Sequence, residues 1–234
     1  MHSSRIIFVA TAAAGLLSGC TAKSESQTGV TAVPRGQANE MTAQHARFDH
    51  AKDPKPNAQT HFAAGRLAES QGASGQAIVQ YKHALTIDPR HLPSLYRLGI
   101  LYTQVQAYSE AIEAWNAYLK VTENDATGWS NLGYCHELAN EPAKAEEAYR
   151  KGIAKDPKNV PCRVNYGLML ARGGRETDAV SQLQAVLPPG QVHYNLASAY
   201  EQQGRKQEAR EHYLRALDWD QNLVEARERL AAMD

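Results

Sequence analysis

Residues 92–125 read LPSLYRLGILYTQVQAYSEAIEAWNAYLKVTEND, and residues 126–159 read ATGWSNLGYCHELANEPAKAEEAYRKGIAKDPKN. Laid one on the other, Gly99 meets Gly133, Ala111 meets Ala145 and Trp115 meets Tyr149, each at a step of 34 residues. The ladders continue outward. Glycines stand at Gly65, Gly99, Gly133 and Gly167, and alanines at Ala77, Ala111, Ala145 and Ala179. Four residues past each alanine come Tyr81, Trp115, Tyr149 and Leu183. A fifth copy follows at a shorter step of 30, through Ala197, Ala209 and Tyr213. Three coincident ladders of one period mark a chain built from tandem units that bury their apolar faces on one another.

The residue types explain the unit. Two antiparallel helices approach closely only where side chains are small, as at Gly65 with Ala77 or Gly133 with Ala145. Large residues such as Tyr81 and Trp115 fill the space toward the next unit. Pro89 and Pro157, each after an Asp, end a second helix. Pro93 and Pro161 stand where the next helix opens, a position proline tolerates.

With this period and pattern the chain resembles the tetratricopeptide repeat family. The resemblance implies an all-α fold, a superhelix of helical hairpins (an α-solenoid). Its repeats are residues 58–91, 92–125, 126–159, a short fourth at 160–189, and 190–223, with a capping helix at 224–234. Departures from the pattern are Tyr118 at a small-residue position, Glu123 in place of proline, and Gly152. Pro188-Pro189-Gly190 is expected to truncate the second helix of repeat four.

The resemblance also implies a concave side lined by first helices, where a protein or peptide partner sits. Carried over residue by residue, it places Phe62 and Arg66 of repeat one on that wall, then Tyr96, Arg97 and Ile100 of repeat two. Ser130, Asn131, Tyr134 and Leu138 follow, then Asn165, Leu168 and Arg172, then Tyr194 and Asn195. Asn131, Asn165 and Asn195 share one repeat position, and an amide both donates to and accepts from a peptide backbone. They resemble the asparagine ladder of peptide-binding members, although asparagine is also simply common there. The basic clamp that grips a terminal carboxylate in chaperone-binding members is approached only by Arg97 and Arg172.

Residues 1–20 read as an export signal: Arg5, an apolar core from Ile6 to Leu17, then Leu17-Ser18-Gly19-Cys20. The 12-residue core falls short of the roughly 20 that span a bilayer. The ending resembles the bacterial lipobox, which implies lipidation of Cys20 and a membrane-anchored chain in the cell envelope. Residue 21 is Thr and not Asp, which by resemblance to Gram-negative lipoproteins points to the periplasmic face of the outer membrane. Residues 21–57 are rich in Thr, Ser, Gln, Ala, Lys and Pro and read as a flexible tether spanning about 30–35 Å. A short helix over 41–52 is expected to cap the first repeat.

Composition narrows the function. The 25 basic and 25 acidic residues give no net charge and no basic cluster for nucleic acid. Cys135 and Cys162 read as small buried apolar residues, with a disulfide between them as the alternative. His61 and His193 hold a repeat position that usually carries a packing aromatic, and no HExxH pair or other metal motif is present. Nucleotide-binding and nucleophile motifs are absent too, so no enzyme, cofactor or metal is expected. The reading is a non-catalytic, lipid-anchored adaptor, by resemblance one that serves pilus, secretion or cell-wall complexes. The alternative is a structural protein that self-associates into a homo-oligomer and leaves the groove empty.

Overall fold

The computed structural model describes residues 56–123 and 125–233. Cys20, the export signal and the 41–52 segment lie outside these residues, as does the tether up to its last two residues. The described chain is all helical: α1 (Ala58–Ser70), α2 (Ser74–Ile87), α3 (Leu92–Gln104), α4 (Tyr108–Val121), α5 (Ala126–Leu138), α6 (Pro142–Lys155), α7 (Val160–Arg172), α8 (Glu176–Gln184), α9 (Pro189–Gln202), α10 (Lys206–Trp219) and α11 (Val224–Ala231). Successive pairs from α1–α2 to α9–α10 form five hairpins, and α11 packs on α10. Each second helix also packs on the first helix of the next hairpin, and α5 touches α7 as α7 touches α9. Direct first-helix contact sets those helices on the tighter, inner side of the superhelix.

The glycine ladder makes the hairpins close. A Cβ added at Gly65 would sit 2.5 Å from the Tyr81 ring, at Gly99 2.4 Å from Trp115, at Gly133 2.7 Å from Tyr149, and at Gly167 2.8 Å from Leu183. The ring slots into the space left by the missing side chain, and Tyr81, Trp115, Tyr149, Leu183 and Tyr213 are all buried. Burying each such side chain is worth about 1.5–3 kcal/mol. The tight turn within each hairpin always uses one left-handed residue: Gly72, Gln106, Asn140, Gly174 and Gly204, with φ between 59 and 76°. Glycine bears that backbone without strain, whereas Gln106 and Asn140 hold it despite a Cβ.

The departures noted in the sequence are repaired across hairpin junctions. Tyr118 fits because the residue facing it in α5 is Gly128, where an added Cβ would lie 3.0 Å from the Tyr118 ring. At the next junction the sizes are exchanged: Gly152 faces Cys162, whose Sγ would lie 2.6 Å from an added Cβ. Glu123, standing in for proline, takes φ +55° as the chain leaves α4. Asp125 then caps α5 by accepting from the Thr127 and Gly128 amides. Asn57 and Asn159 cap α1 and α7 in the same manner. Helix α8 ends at Gln184 after 9 residues, where α2, α4, α6 and α10 run to 14. Pro188 then stands at the start of α9 without a side-chain cap, and Pro189 opens the helix. Among the described residues no helix is long and apolar enough to cross a membrane.

Replacing Gly133 by Ala is expected to cost about 1–3 kcal/mol, because the buried Tyr149 ring has nowhere to move. Gly75→Ala in α2, where nothing lies within 4 Å, should change stability by less than about 1 kcal/mol and toward the stabilising side. Urea midpoints of the two variants against the parent chain check the contrast.

Candidate functional site: the first-helix wall

The residues read from the sequence as groove-facing fall into three kinds. Tyr134, Leu138, Asn165 and Leu168 on adjacent α5 and α7 are half-buried and present side chains at the middle of the wall. Burial, followed by the charge of Glu137, holds the Tyr134 hydroxyl above its ordinary value, so it stays a neutral donor. Arg66 is exposed, with no ion-pair or hydrogen-bond partner among the described residues.

A second group spends its surface on packing. Phe62 lies 5.5 Å from the Tyr81 ring and 5.4 Å from His91. Tyr96 stands edge-on to Trp115 at 5.3 Å, and Tyr194 lies 5.7 Å from Tyr213. Ile100 packs on the same core as Trp115. Ser130 is buried at 2 % exposure and is not part of an open wall, because Asn165 Nδ2 donates to its Oγ at 3.4 Å. The other two asparagines bond to their own helices: Asn131 Nδ2 donates to the Thr127 carbonyl at 3.0 Å and Asn195 Nδ2 to the Gln191 carbonyl at 2.8 Å. Each of the three thus spends one N–H and keeps its carbonyl oxygen for another donor.

The third kind is Arg97 and Arg172, and both are occupied. Arg97 pairs with Glu69 of the preceding hairpin, its Nε donating at 3.1 Å. Arg172 pairs with Glu137, and Arg229 of α11 with Glu201, its Nε donating at 3.0 Å. The glutamates recur at one repeat position, always in a hairpin whose buried ring is tyrosine. Tyr213 donates to Glu201 at 2.8 Å and Tyr149 to Glu137 at 3.4 Å. Tyr81 lies beside Glu69, where burial and then the Glu69 charge push its hydroxyl up to about 12. Burial also raises the Glu137 carboxyl, against the pull of Arg172. These Tyr–Glu–Arg trios staple hairpins one, three and five to whatever follows them. Sequence reading named Arg97 and Arg172 but missed Arg229 and all three glutamates. Their signal was present: Glu69, Glu137 and Glu201 each precede a buried tyrosine by 12 residues.

Cys135 and Cys162 are free and buried, which settles the disulfide alternative in favour of core packing. Thr103 Oγ1 lies 3.2 Å from Cys135 Sγ, and Cys162 Sγ donates to the Tyr149 carbonyl at 3.2 Å. Burial pushes the Cys162 thiol up to about 12, far from a reactive thiolate. No cluster of three or more His, Cys, Asp or Glu side chains with metal-holding geometry occurs among the described residues.

Comparison with known proteins agrees with this geometry. Models of the tetratricopeptide repeat match residues 58–91, 96–160 and 190–223. The chain belongs to the tetratricopeptide repeat family. Members of that family mediate protein–protein interactions. The chain is 27% identical over 125 residues to the general transcriptional corepressor ssn6 of Schizosaccharomyces pombe, a stretch covering 53% of this chain and 11% of that protein. It is 27% identical over 120 residues to the peroxisomal targeting signal receptor of Kluyveromyces lactis, covering 51% and 21% respectively. It therefore spans a small part of these relatives, and what is shared is the repeat array. Among solved structures, MamA superposes with a TM-score of 0.56 at 23% identity, over 69% of this chain and 96% of the other. YrrB, described as a TPR protein with an unusual peptide-binding site, superposes with a TM-score of 0.53 at 22% identity, over 80% and 96%. At these identities the likeness is one of fold.

Breaking one partner of a trio leaves a charge in a half-buried place. Arg172→Met is expected to cost about 1–3 kcal/mol, and removing both Arg172 and Glu137 less than the two single losses added. A double-mutant cycle in urea measures the coupling.

Proposed function

We propose that this protein is a non-catalytic adaptor whose stacked hairpins take a peptide segment of a partner protein along the first-helix wall. The observation that carries the reading is the patch on α5 and α7, where Tyr134, Leu138 and Leu168 stay half-open beside the Asn165 amide. Apolar anchors flanked by groups that pair with a peptide backbone suit an extended or helical segment. Because Arg97 and Arg172 are tied to glutamates, a terminal carboxylate is not what this wall grips. The Tyr134→Ala, Asn165→Ala double variant should lower the yield of crosslinked partner recovered from membranes about tenfold or more, with the helical content unchanged. An undiminished yield places the partner elsewhere.

The adaptor is held at a membrane, in this reading, through lipid on Cys20, with residues 21–57 as the spacer. The support is the sequence Leu17-Ser18-Gly19-Cys20 after a short apolar run, and Thr21 favours the periplasmic face of the outer membrane. There it would serve envelope complexes such as pilus, secretion or cell-wall assemblies. Cys20→Ser should release the chain from the membrane fraction and block processing. A variant still processed and still membrane-bound rules the anchor out.

One observation favours a second reading. Trp219 is 66 % exposed at the end of α10, with Leu214 and Val224 also exposed. A chain that self-associates through this end and leaves the wall empty would be a stable oligomer in light scattering, and would retain no partner.

A further inference from the structure

Hairpin five holds two histidines on facing helices that the adaptor reading does not use. His193 of α9 and His212 of α10 approach with their Nδ1 atoms 3.1 Å apart. The ring centroids lie 5.2 Å apart, about that distance plus the two ring radii, so the nitrogens meet nearly head-on. On the other side of His212, Nε2 lies 3.3 Å from Oε1 of Glu176, at the start of α8. The second oxygen of Glu176 accepts from Tyr200 of α9 at 3.0 Å. His212 is only 4 % exposed. One chain of polar contacts thus ties hairpin five together and binds it to hairpin four.

Counting protons fixes what this chain tolerates. The carboxylate of Glu176 requires a proton on His212 Nε2. That leaves Nδ1 of a neutral His212 as an acceptor, so His193 must donate from its own Nδ1. A third proton can enter at His193 Nε2 and leave the head-on bond intact. A fourth must go to His212 Nδ1, where two N–H groups would then face each other across 3.1 Å. Glu176 can balance one of the two resulting charges, and no other carboxylate pairs with either ring among the described residues. Arg215 of α10 adds to the repulsion, Glu208 of α10 lies near His212, and Arg205 is held over the Tyr200 ring at 4.2 Å.

We propose that the His193–His212–Glu176 chain is an acid-sensitive latch: closed when the pair carries at most one extra proton, and forced open, loosening α9 from α10 and from α8, when both imidazoles are charged. The direction follows from the packing. Burial holds both histidines below the ordinary imidazole value; Arg215 adds to this at His193, and at His212 Glu176 opposes it while His193 and Arg215 reinforce it. The folded hairpin therefore binds fewer protons than the unfolded chain. The pair's contribution to stability is complete above about pH 6.5 and is lost as pH falls from there through the lower values of the folded pair. The proposal is independent of the peptide-binding reading, because it concerns closure of the hairpin and not what lies on it.

The chain itself supplies the control. The two positions of the histidine pair are Leu95 and Ala114 in hairpin two, both buried, and Trp129 and Ala148 in hairpin three. His193→Leu with His212→Ala should fold and lose the latch. Between about pH 7.5 and pH 5, hydrogen-exchange protection of α9 and α10 in the full chain should fall about tenfold more than that of α3 and α4. In the double variant the two hairpins should change in parallel. Nitrogen NMR of the parent's imidazoles gives a second measurement, one that does not depend on the variant folding. It should find His212 protonated at Nε2 and bare at Nδ1 at neutral pH. Equal acid sensitivity of hairpins two and five in the parent overturns the proposal. So does acid sensitivity that survives the double substitution, or a pair that takes up both protons with α9 and α10 still protected.

Discussion

The distance between the two helices of a hairpin is the constraint from which the rest of this molecule follows. It is set at one point per repeat, where a ring or leucine from the second helix lies against bare backbone of the first. Tyr81, Trp115, Tyr149 and Leu183 occupy space that a single methyl group would deny them. With the ring so placed, its far edge reaches the next hairpin, and the intra-hairpin contact becomes the inter-hairpin contact as well. Hairpin five keeps Ala197 at this point, so the requirement there is for a small residue and not for none. Interiors packed to this density answer a volume change at one position with a change at its neighbour. The exchanged sizes at Tyr118–Gly128 and Gly152–Cys162 are such answers, made across junctions.

The same geometry governs which polar groups remain available to a partner. First-helix side chains that meet the second helix of their own hairpin, or a glutamate of the preceding one, are drawn into packing or ion pairs, and others stay half-open. Tyr96 and Tyr194 belong to the first set, Tyr134 and Leu168 to the second. The wall that results is short on net charge. It offers shape, apolar contact and amide oxygens, which distinguishes it from a groove built to hold an ionic group.

Much of this was legible in the sequence, because the repeat multiplies each signal. A lone glycine says little, but four at a fixed spacing, each 16 residues before a ring or leucine, say that two helices must touch there. The truncation of α8 was readable from Pro188 and Pro189 for the same local reason. What could not be read was the identity of partners across junctions. Arg97 and Arg172 looked like free groove residues because their glutamates lie 28 and 35 positions away in the chain, at spacings that do not match each other. The Asn131 amide looked outward-facing because sequence position does not reveal that it turns back to the Thr127 carbonyl. The His193–His212 contact was hidden too, since His193 sits at a packing position of the repeat and its partner lies 19 residues on.

The Tyr–Glu–Arg trios occur only in alternate hairpins, and this sets how the junctions are held. Arg97 joins hairpin one to two, Arg172 and Arg175 join three to four, and Arg229 joins five to α11. Between hairpins two and three no ion pair among the described residues crosses, and the polar links include the contact of Thr103 with Cys135 and the approach of Tyr118 to Asp125. Between four and five the links run through Glu176 and through Gln203, whose Nε2 donates to the Arg172 carbonyl at 2.9 Å. The charged links along the superhelix thus alternate with a junction, between hairpins two and three, that is held by apolar packing of α4 on α5 around Trp115, Leu119 and Leu132. That junction lies beside Tyr134, so added salt, which screens the charged links elsewhere, would leave the packing beneath this part of the wall unchanged.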